Sequence, residues 1–215
     1  MLSGMKEKLI KAGVLQDTLP EYPFYVSTGE LSLLCGFLQD TRQLRGPIVE
    51  IGCAHGWTTI FLNKHMDLIG CDKPYICLDT FAGFTTEDMC FEVDKRGKNG
   101  AYLRKRFRDT GKPRFERTMA LNSIHRVRAI AGDVKQFDFE GIRDISFAFI
   151  DVDLYQPVRA ALEKVYPLMA PGGILAVHDC TPDGPYDGAL QAYKEFTYGR
   201  NLPQEITYRI GLIRC

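Results

Sequence analysis

Two apolar runs in this chain stop on groups that ionise or ligate. Residues 147–155 read FAFIDVDLY, so the run from Phe147 to Ile150 ends on Asp151 and, one valine later, Asp153. The run GGILAV, residues 172–177, ends on His178 and Asp179. Earlier in the chain, PIVEIG (47–52) carries Glu50, YICLDTF (75–81) carries Asp79, and RVRAIAGD (126–133) closes on Asp133. Carboxylates and an imidazole placed this way can accept hydrogen bonds from a polar ligand, take a proton from a hydroxyl, or ligate a cation. Any one of them alone could be a solvated segment end or a helix cap. Several in register on consecutive segments argue for a shared site.

The elements that must position them follow from the apolar pattern. Five runs read as strands: 47–52, 75–81, 126–133, 145–153 and 172–180. GWTTIFLNKHM (56–66) reads as a helix, and so does LYQPVRAALEKVYPLMA (154–170), with Val158, Leu162, Val165 and Met169 on one face. DGALQAYKEF (187–196) is a further amphipathic stretch, and ITYRIGLIRC (206–215) supplies one or two closing strands. Strands apolar on both faces and alternating with helices predict an α/β fold, a doubly wound, mostly parallel, Rossmann-like sheet. Ligands of such sheets bind outside the carboxyl ends of the strands, where these acids fall. Residues 1–45 read as a helical segment packed on the core, with Ser27-Thr28 capping a helix over ELSLLCGFLQDTRQL. The main domain is expected over 46–215, with an insertion at 82–125 between the second and third strands.

Bulk properties narrow the partners. The chain has 215 residues, 45% of them hydrophobic, and 27 Lys+Arg balance 27 Asp+Glu. A net charge of zero gives no general attraction to nucleic acid or an anionic membrane. Seven cysteines at irregular spacing without a CxxC read as reduced thiols of a cytoplasmic protein. The N-terminal sequence has no signal-peptide core, and no run approaches a membrane span. The neutral total hides one basic tract. Residues 95–117 hold ten Lys+Arg against two Asp+Glu, a net charge of +8. It reads as a solvated face, a mobile lid, or a clamp for an acidic small molecule; RNA binding is the least favoured option.

The turn from Glu50 through Gly52 to Gly56 suggests the cofactor. It lacks the G-x-G-x-x-G of nicotinamide enzymes. An acid two residues before Gly52 instead suits a ligand with an ammonium group near the turn, as in the methionine part of S-adenosylmethionine. Asp79, 29 positions after Glu50, suits the ribose hydroxyls, and Asp133 suits the adenine amino group. Thr80, Phe81 and Val134 flank these acids and join the expected cofactor set. His55, inside the glycine turn, is placed to touch cofactor or acceptor.

The segments DTFAGF, GDVKQF, DVDLYQPVRAALEKVYPLMAPGG and VHD carry a resemblance. The chain resembles class I S-adenosylmethionine-dependent methyltransferases. More narrowly, it is similar to the macrocin-type sugar O-methyltransferases of macrolide (macrocin, mycinamicin) and aminocoumarin biosynthesis, over roughly residues 46–196. The turn GCAHGWT is also similar to that of catechol O-methyltransferase, where a hydroxylated residue after the last glycine holds the methionine carboxylate; Thr58 stands there. The resemblance implies a divalent metal, Mg²⁺ in the first instance, on Asp151 and on positions 178 and 179. This chain departs from the relatives in having His178-Asp179 where they have Asp-Asp or Asp-Asn. His178 is therefore a ligand suited to a transition metal, a general base, or a hydrogen-bonded strand end. Asp153 is expected to cap the helix starting near Leu154, and Trp57 to pack its helix on the sheet or to wall the cofactor pocket. His65 and His125 read as surface residues. Insertions at this point cover the active site in the relatives, so a lid hinged at Gly83, Gly97, Gly100 and Gly111 is expected.

Together these readings predict a metal-assisted O-methyltransferase. Its acceptor would be a small hydroxylated molecule, a sugar or glycosylated natural product, acidic if the basic tract clamps it. Asp151 and His178 would be catalytic, and the protein a homo-oligomer. Two alternatives stay open: an oxidoreductase of the hydroxylase type on the same scaffold, and a non-catalytic module that binds S-adenosylmethionine.

Overall fold

The computed structural model describes residues 24–215; the expected helical character of the first 23 residues lies outside them. The chain enters through α1 (Thr28–Thr41). Its N-cap is Ser27, whose hydroxyl accepts from the Glu30 N–H while the Glu30 carboxylate accepts from the Ser27 N–H, a reciprocal capping box. Then follow β1 (Ile48–Ile51), α2 (Trp57–Leu68) and β2 (Tyr75–Asp79). The insertion forms α3 (Thr86–Arg96), α4 (Gly100–Leu103) and α5 (Lys112–Leu121). After it come β3 (Val127–Ala131), β4 (Ile145–Ile150), α6 (Tyr155–Val165), a 3₁₀ turn (Tyr166–Leu168) and β5 (Met169–Val177). The chain closes with α7 (Gly188–Gly199), β6 (Glu205–Thr207) and β7 (Ile210–Arg214).

The strands form one sheet in the order β3-β2-β1-β4-β5-β7-β6. The first five are mutually parallel, and β7 and β6 run antiparallel at the far edge. The chain winds away from β1 in both directions, so the strand order reverses between β1 and β4, and their carboxyl ends frame the crevice where such sheets bind ligands. Alternate side chains feed two cores. Val49, Ile51, Ala148 and Ile150 pack with Val158 and Leu162 of α6. Ile48, Cys77, Phe147 and Phe149 pack with Leu34 and Leu38 of α1 and Leu62 of α2. All seven cysteines are free. Among the described residues no helix is long and apolar enough to cross a membrane.

One element reading needs correction. The helix expected to reach residue 170 stops at Val165, and Met169 belongs to β5 rather than to a helical face. Pro167 allows only a 3₁₀ turn there, because its ring cannot continue the α-helical ladder. The insertion, expected as a lid, is fastened at several points. Glu92 of α3 accepts from the Tyr155 N–H at the start of α6 at 2.8 Å. Lys135 bonds Asp88 of α3 at 2.7 Å. Phe115 and Met119 of α5 lie so close over Gly56 that a Cβ there would sit 2.6 Å from Met119 Cε. Of the expected hinge glycines, Gly97 is the left-handed C-cap of α3 (φ 66°) and Gly111 the N-cap of α5.

Candidate active site

A cavity of about 350 Å³ opens at the carboxyl ends of the parallel strands. Its floor is the turn after β1. Gly52 adopts φ +85°, and a Cβ on it would lie 1.9 Å from the Asp151 carbonyl oxygen. Only glycine lets this turn press against the end of β4. Asp79 locks the same turn: its Oδ2 accepts from the Cys53 and Ala54 N–H groups at 2.8 Å each, and Oδ1 from the Phe81 N–H at 2.7 Å. A carboxylate has about four acceptor positions, so roughly one is left for a ligand. Backbone strain gathers along this edge. Ala54, Phe81, Asp153 and Asp179, just beyond β1, β2, β4 and β5, all have φ between 43° and 61°. For non-glycine residues that conformation costs on the order of 1–2 kcal/mol each, which the surrounding bonds must offset.

Glu50 lies inside β1 rather than at its end, and is fully buried. Its Oε2 accepts from the hydroxyls of Thr59 and Tyr75, both at 2.7 Å. Its Oε1 is buried without a partner, and the residue borders the cavity. Burial pushes its pKa up to about 7 despite those two bonds. An unpaired carboxyl oxygen in that position suits a ligand donor such as an ammonium group.

Asp151, His178 and Asp179 converge from the ends of adjacent β4 and β5. Each offers one ligand atom, and those atoms all lie within 4.8 Å of one another. His178 Nδ1 is 2.8 Å from Asp151 Oδ1 and 3.7 Å from Asp179 Oδ1. Its other nitrogen, Nε2, faces Glu30 Oε1 at 3.5 Å and an Arg209 terminal nitrogen at 3.1 Å. That guanidinium also bonds Asp179 Oδ1 at 2.6 Å and approaches Glu30 Oε1 at 3.3 Å. Burial opposes a charge on His178, but Asp151, Glu30 and Asp179 outweigh it and hold its pKa well above the ordinary value. Burial would likewise raise Glu30; its bonds from His178 and Ser27 instead bring it down to about 2. The donor set, one imidazole and two carboxylates backed by a carboxylate behind the imidazole, fits a divalent ion. The nitrogen donor favours a first-row transition metal over Mg²⁺.

The structure brings most of the expected site residues to this cavity. Glu50, Gly52, His55, Thr58, Asp79, Thr80, Asp133, Val134, Asp151, His178 and Asp179 all border it. Two do not. Phe81 turns into the core, where its ring centre lies 5.3 Å from that of Phe115. The left-handed backbone at Phe81 aims the side chain away from the strand end. Gly56 faces α5 instead of the cavity, and shapes the turn without lining it. Trp57 was expected first to pack its helix on the sheet. It is 42% exposed, meets Phe24 edge-on at 6.3 Å, and walls the cavity, as the alternative had it. Asp153 does not cap α6, whose N-cap is Leu154 without a side-chain bond. Its carboxyl is buried in the cavity wall, where desolvation and then the charges of Asp151 and Asp179 push its pKa well up. His65 is half-buried, with Nε2 unpartnered, whereas His125 is exposed.

Glu30 and Arg209 were not legible as site residues. Glu30 reads as the third residue of a capping box, and nothing local says that its carboxylate reaches His178. Arg209 occupies a two-residue turn between β6 and β7. The pairing of Val177 with Gly211 sets that turn beside His178 and Asp179, which only the sheet order reveals.

A family model described as a methyltransferase domain matches residues 49–180, well over half of the chain. No curated protein matches the chain in sequence. Among solved structures the fold is similar to the O-methyltransferase NovP, at TM-score 0.72 and 17% identity, over 97% of this chain and 87% of that one. It is similar to CalS11, a calicheamicin methyltransferase, at TM-score 0.71 and 18% identity, over 99% and 90%. The O-methyltransferase TomG from Streptomyces achromogenes, solved with S-adenosylmethionine, matches at TM-score 0.53 and 16% identity, over 97% and 86%. These findings favour methyl transfer over the oxidoreductase and binding-module alternatives. With the switch-point cavity, the glycine turn and this family match in place, the chain belongs to the methyltransferase-domain family and has the class I S-adenosylmethionine-dependent methyltransferase fold.

Proposed function

We propose that this protein transfers the methyl group of S-adenosylmethionine to a hydroxyl of a small molecule, a sugar or glycosylated natural product, with help from a divalent ion. The observation that carries the reading is the meeting of Asp151, His178 and Asp179 in the same cavity as the glycine turn. The relatives' descriptions support it: NovP is an O-methyltransferase, and CalS11 is described as a TDP-rhamnose 3'-O-methyltransferase.

Glu50 Oε1 would take the cofactor's ammonium, with Thr58 near its carboxylate. Asp79 would use its remaining acceptor position on the ribose, and Asp133 would face the adenine. The reaction forms an O–CH₃ bond as the S–CH₃ bond breaks, so the sulfonium leaves as a neutral thioether and the hydroxyl proton must go elsewhere. An ion held by Asp151, His178 and Asp179 would supply a lowered pKa and a fixed orientation for the acceptor oxygen. Asp153 is a buried carboxyl of the cavity two residues beyond Asp151 and outside that ligand set, and its raised pKa is the direction a proton acceptor needs at neutral pH. Glu30 would hold the His178 ring from behind. Most of the rate should come from holding oxygen, methyl carbon and sulfur in line.

The test is label transfer from methyl-labelled S-adenosylmethionine to a panel of hydroxylated acceptors. Reactions are run with EDTA and with Mg²⁺, Mn²⁺ or Fe²⁺ restored. Ion-dependent label in an acceptor ether is expected. Binding of S-adenosylmethionine without transfer to any hydroxyl would defeat the proposal.

A further inference from the structure

The basic tract resolves into one residue that faces the chemistry. Arg96 is neutralised by Glu92 and Asp187, Lys98 by Asp187, and Lys112 by Glu116. Of the ten basic side chains in residues 95–117, only Arg106 borders the cavity. Its Nε donates to the Tyr186 hydroxyl at 3.2 Å. Its Cζ lies 5.6 Å from the centre of the Tyr102 ring and 5.4 Å from that of Phe107. Phe84 completes the cluster, with ring centres 5.4 Å from Phe107 and 6.1 Å from Tyr186.

Among the described residues, no carboxylate lies within ion-pair distance of Arg106, and its two terminal nitrogens have no hydrogen-bond partner. The other basic side chains of the cavity are engaged: Arg209 with Asp179 and Glu30, His178 with Asp151, His55 with Asp109 at 3.5 Å. With Nε committed to Tyr186, the open edge of Arg106 is the fork of its terminal N–H groups. That fork matches two oxygens of a carboxylate or phosphate. The ring faces hold the guanidinium in place and partly strip its water, which strengthens its attraction for an anion. Elsewhere the lining is rich in carboxylates, so an anion is tolerated on this side alone.

Resting on the reading that this cavity takes the methyl acceptor, we propose that Arg106 and the rings of Phe84, Tyr102, Phe107 and Tyr186 form a subsite for an anionic group. The acceptor is then a hydroxylated ring compound bearing a carboxylate or a phosphate. The anion sits on the Arg106 fork while the reacting hydroxyl points to Asp151. This arrangement selects which hydroxyl is methylated as well as which molecule binds.

The test is calorimetric binding to the full chain loaded with S-adenosylhomocysteine, so it does not depend on turnover. One arm compares 3,4-dihydroxybenzoate with 3,4-dihydroxybenzamide, the other glucose 6-phosphate with glucose. In at least one arm the anionic member should bind about ten- to a hundredfold more tightly, the range of a charge-assisted hydrogen bond, and that arm identifies the anion. Arg106→Gln should bring the ratio close to one, and Arg106→Lys, which keeps the charge but loses the fork, should fall between. Binding of S-adenosylhomocysteine to each variant reports that it is folded. Absence of preference in both wild-type arms, or a preference that survives Arg106→Gln, overturns the subsite. Failure of label transfer in the earlier assay would sink the methyl-transfer reading while leaving this binding result to stand or fall alone.

Discussion

Glu50 shows how a single buried carboxyl links stability to cofactor binding. Its folded pKa of about 7 lies above the ordinary carboxylate value. The fold therefore favours the protonated form. The stabilisation is complete below about pH 4.5 and is lost as pH rises through 7, a change of up to about 3 kcal/mol. Glu50→Gln should abolish that slope, so its stability relative to wild type should improve between pH 5 and pH 8 in urea titrations. An ammonium ligand needs the charged form, so wild-type affinity for S-adenosylmethionine should rise from pH 5 to pH 7, and the Gln variant should show weak, pH-insensitive binding. Parallel profiles for the two proteins would contradict the pairing. Asp151→Asn makes a separate prediction. It removes a ligand charge and reduces the bond at His178 Nδ1 to a neutral one without touching the glycine turn. Turnover should drop by about a hundredfold or more while calorimetry still records cofactor binding; a matching loss of both would move Asp151 into the cofactor site. The strand-end positions of Asp151, His178 and Asp179 were legible because apolar strands that stop on acids place them on one edge. The burial of Glu50 was not, since the pattern of residues 47–52 does not say which way its side chain points.

At the level of elements, the turn after β1 and the start of α6 carry the site. Gly52→Ala puts a Cβ into the Asp151 carbonyl at a left-handed φ. It should cost more than about 2 kcal/mol and lower the denaturation midpoint, whereas Gly70→Ala, where a Cβ meets open space, should cost only the backbone strain of φ +64°. Glu92 joins the insertion to the start of α6 by accepting from the Tyr155 N–H, and pairs with Arg96 of its own helix. Glu92→Ala leaves the α6 N-terminus without its acid and Arg96 with Asp187 alone, and should cost about 2 kcal/mol by urea denaturation. An unchanged midpoint would mean that the insertion is held by its remaining contacts, Lys135 with Asp88, Arg96 and Lys98 with Asp187, and α5 over the glycine turn. Alternation of strand and helix was readable because the periods differ. The insertion's attachments were not: Glu92 reaches α6 across 63 positions, and its own helix reads only as a charged surface face. Phe81 went astray for a local reason, a left-handed residue at the strand end that sequence period does not reveal.

For the whole molecule, the sheet order assembles the site from distant parts of the chain. Glu30 on α1, Asp151 after β4, His178 and Asp179 after β5 and Arg209 on the closing hairpin meet in one charged cluster. Residue types and spacing identified the middle members, and the outer two required the topology. The central claim is that cofactor and cation meet in this one cavity. It is tested most directly by a crystal of the full chain grown with S-adenosylhomocysteine and Mn²⁺. The account predicts a manganese anomalous peak among Asp151, His178 and Asp179, with the cofactor's ammonium on Glu50 and its sulfur facing the ion. Manganese bound elsewhere, or a cofactor whose sulfur points away from Asp151, would contradict it.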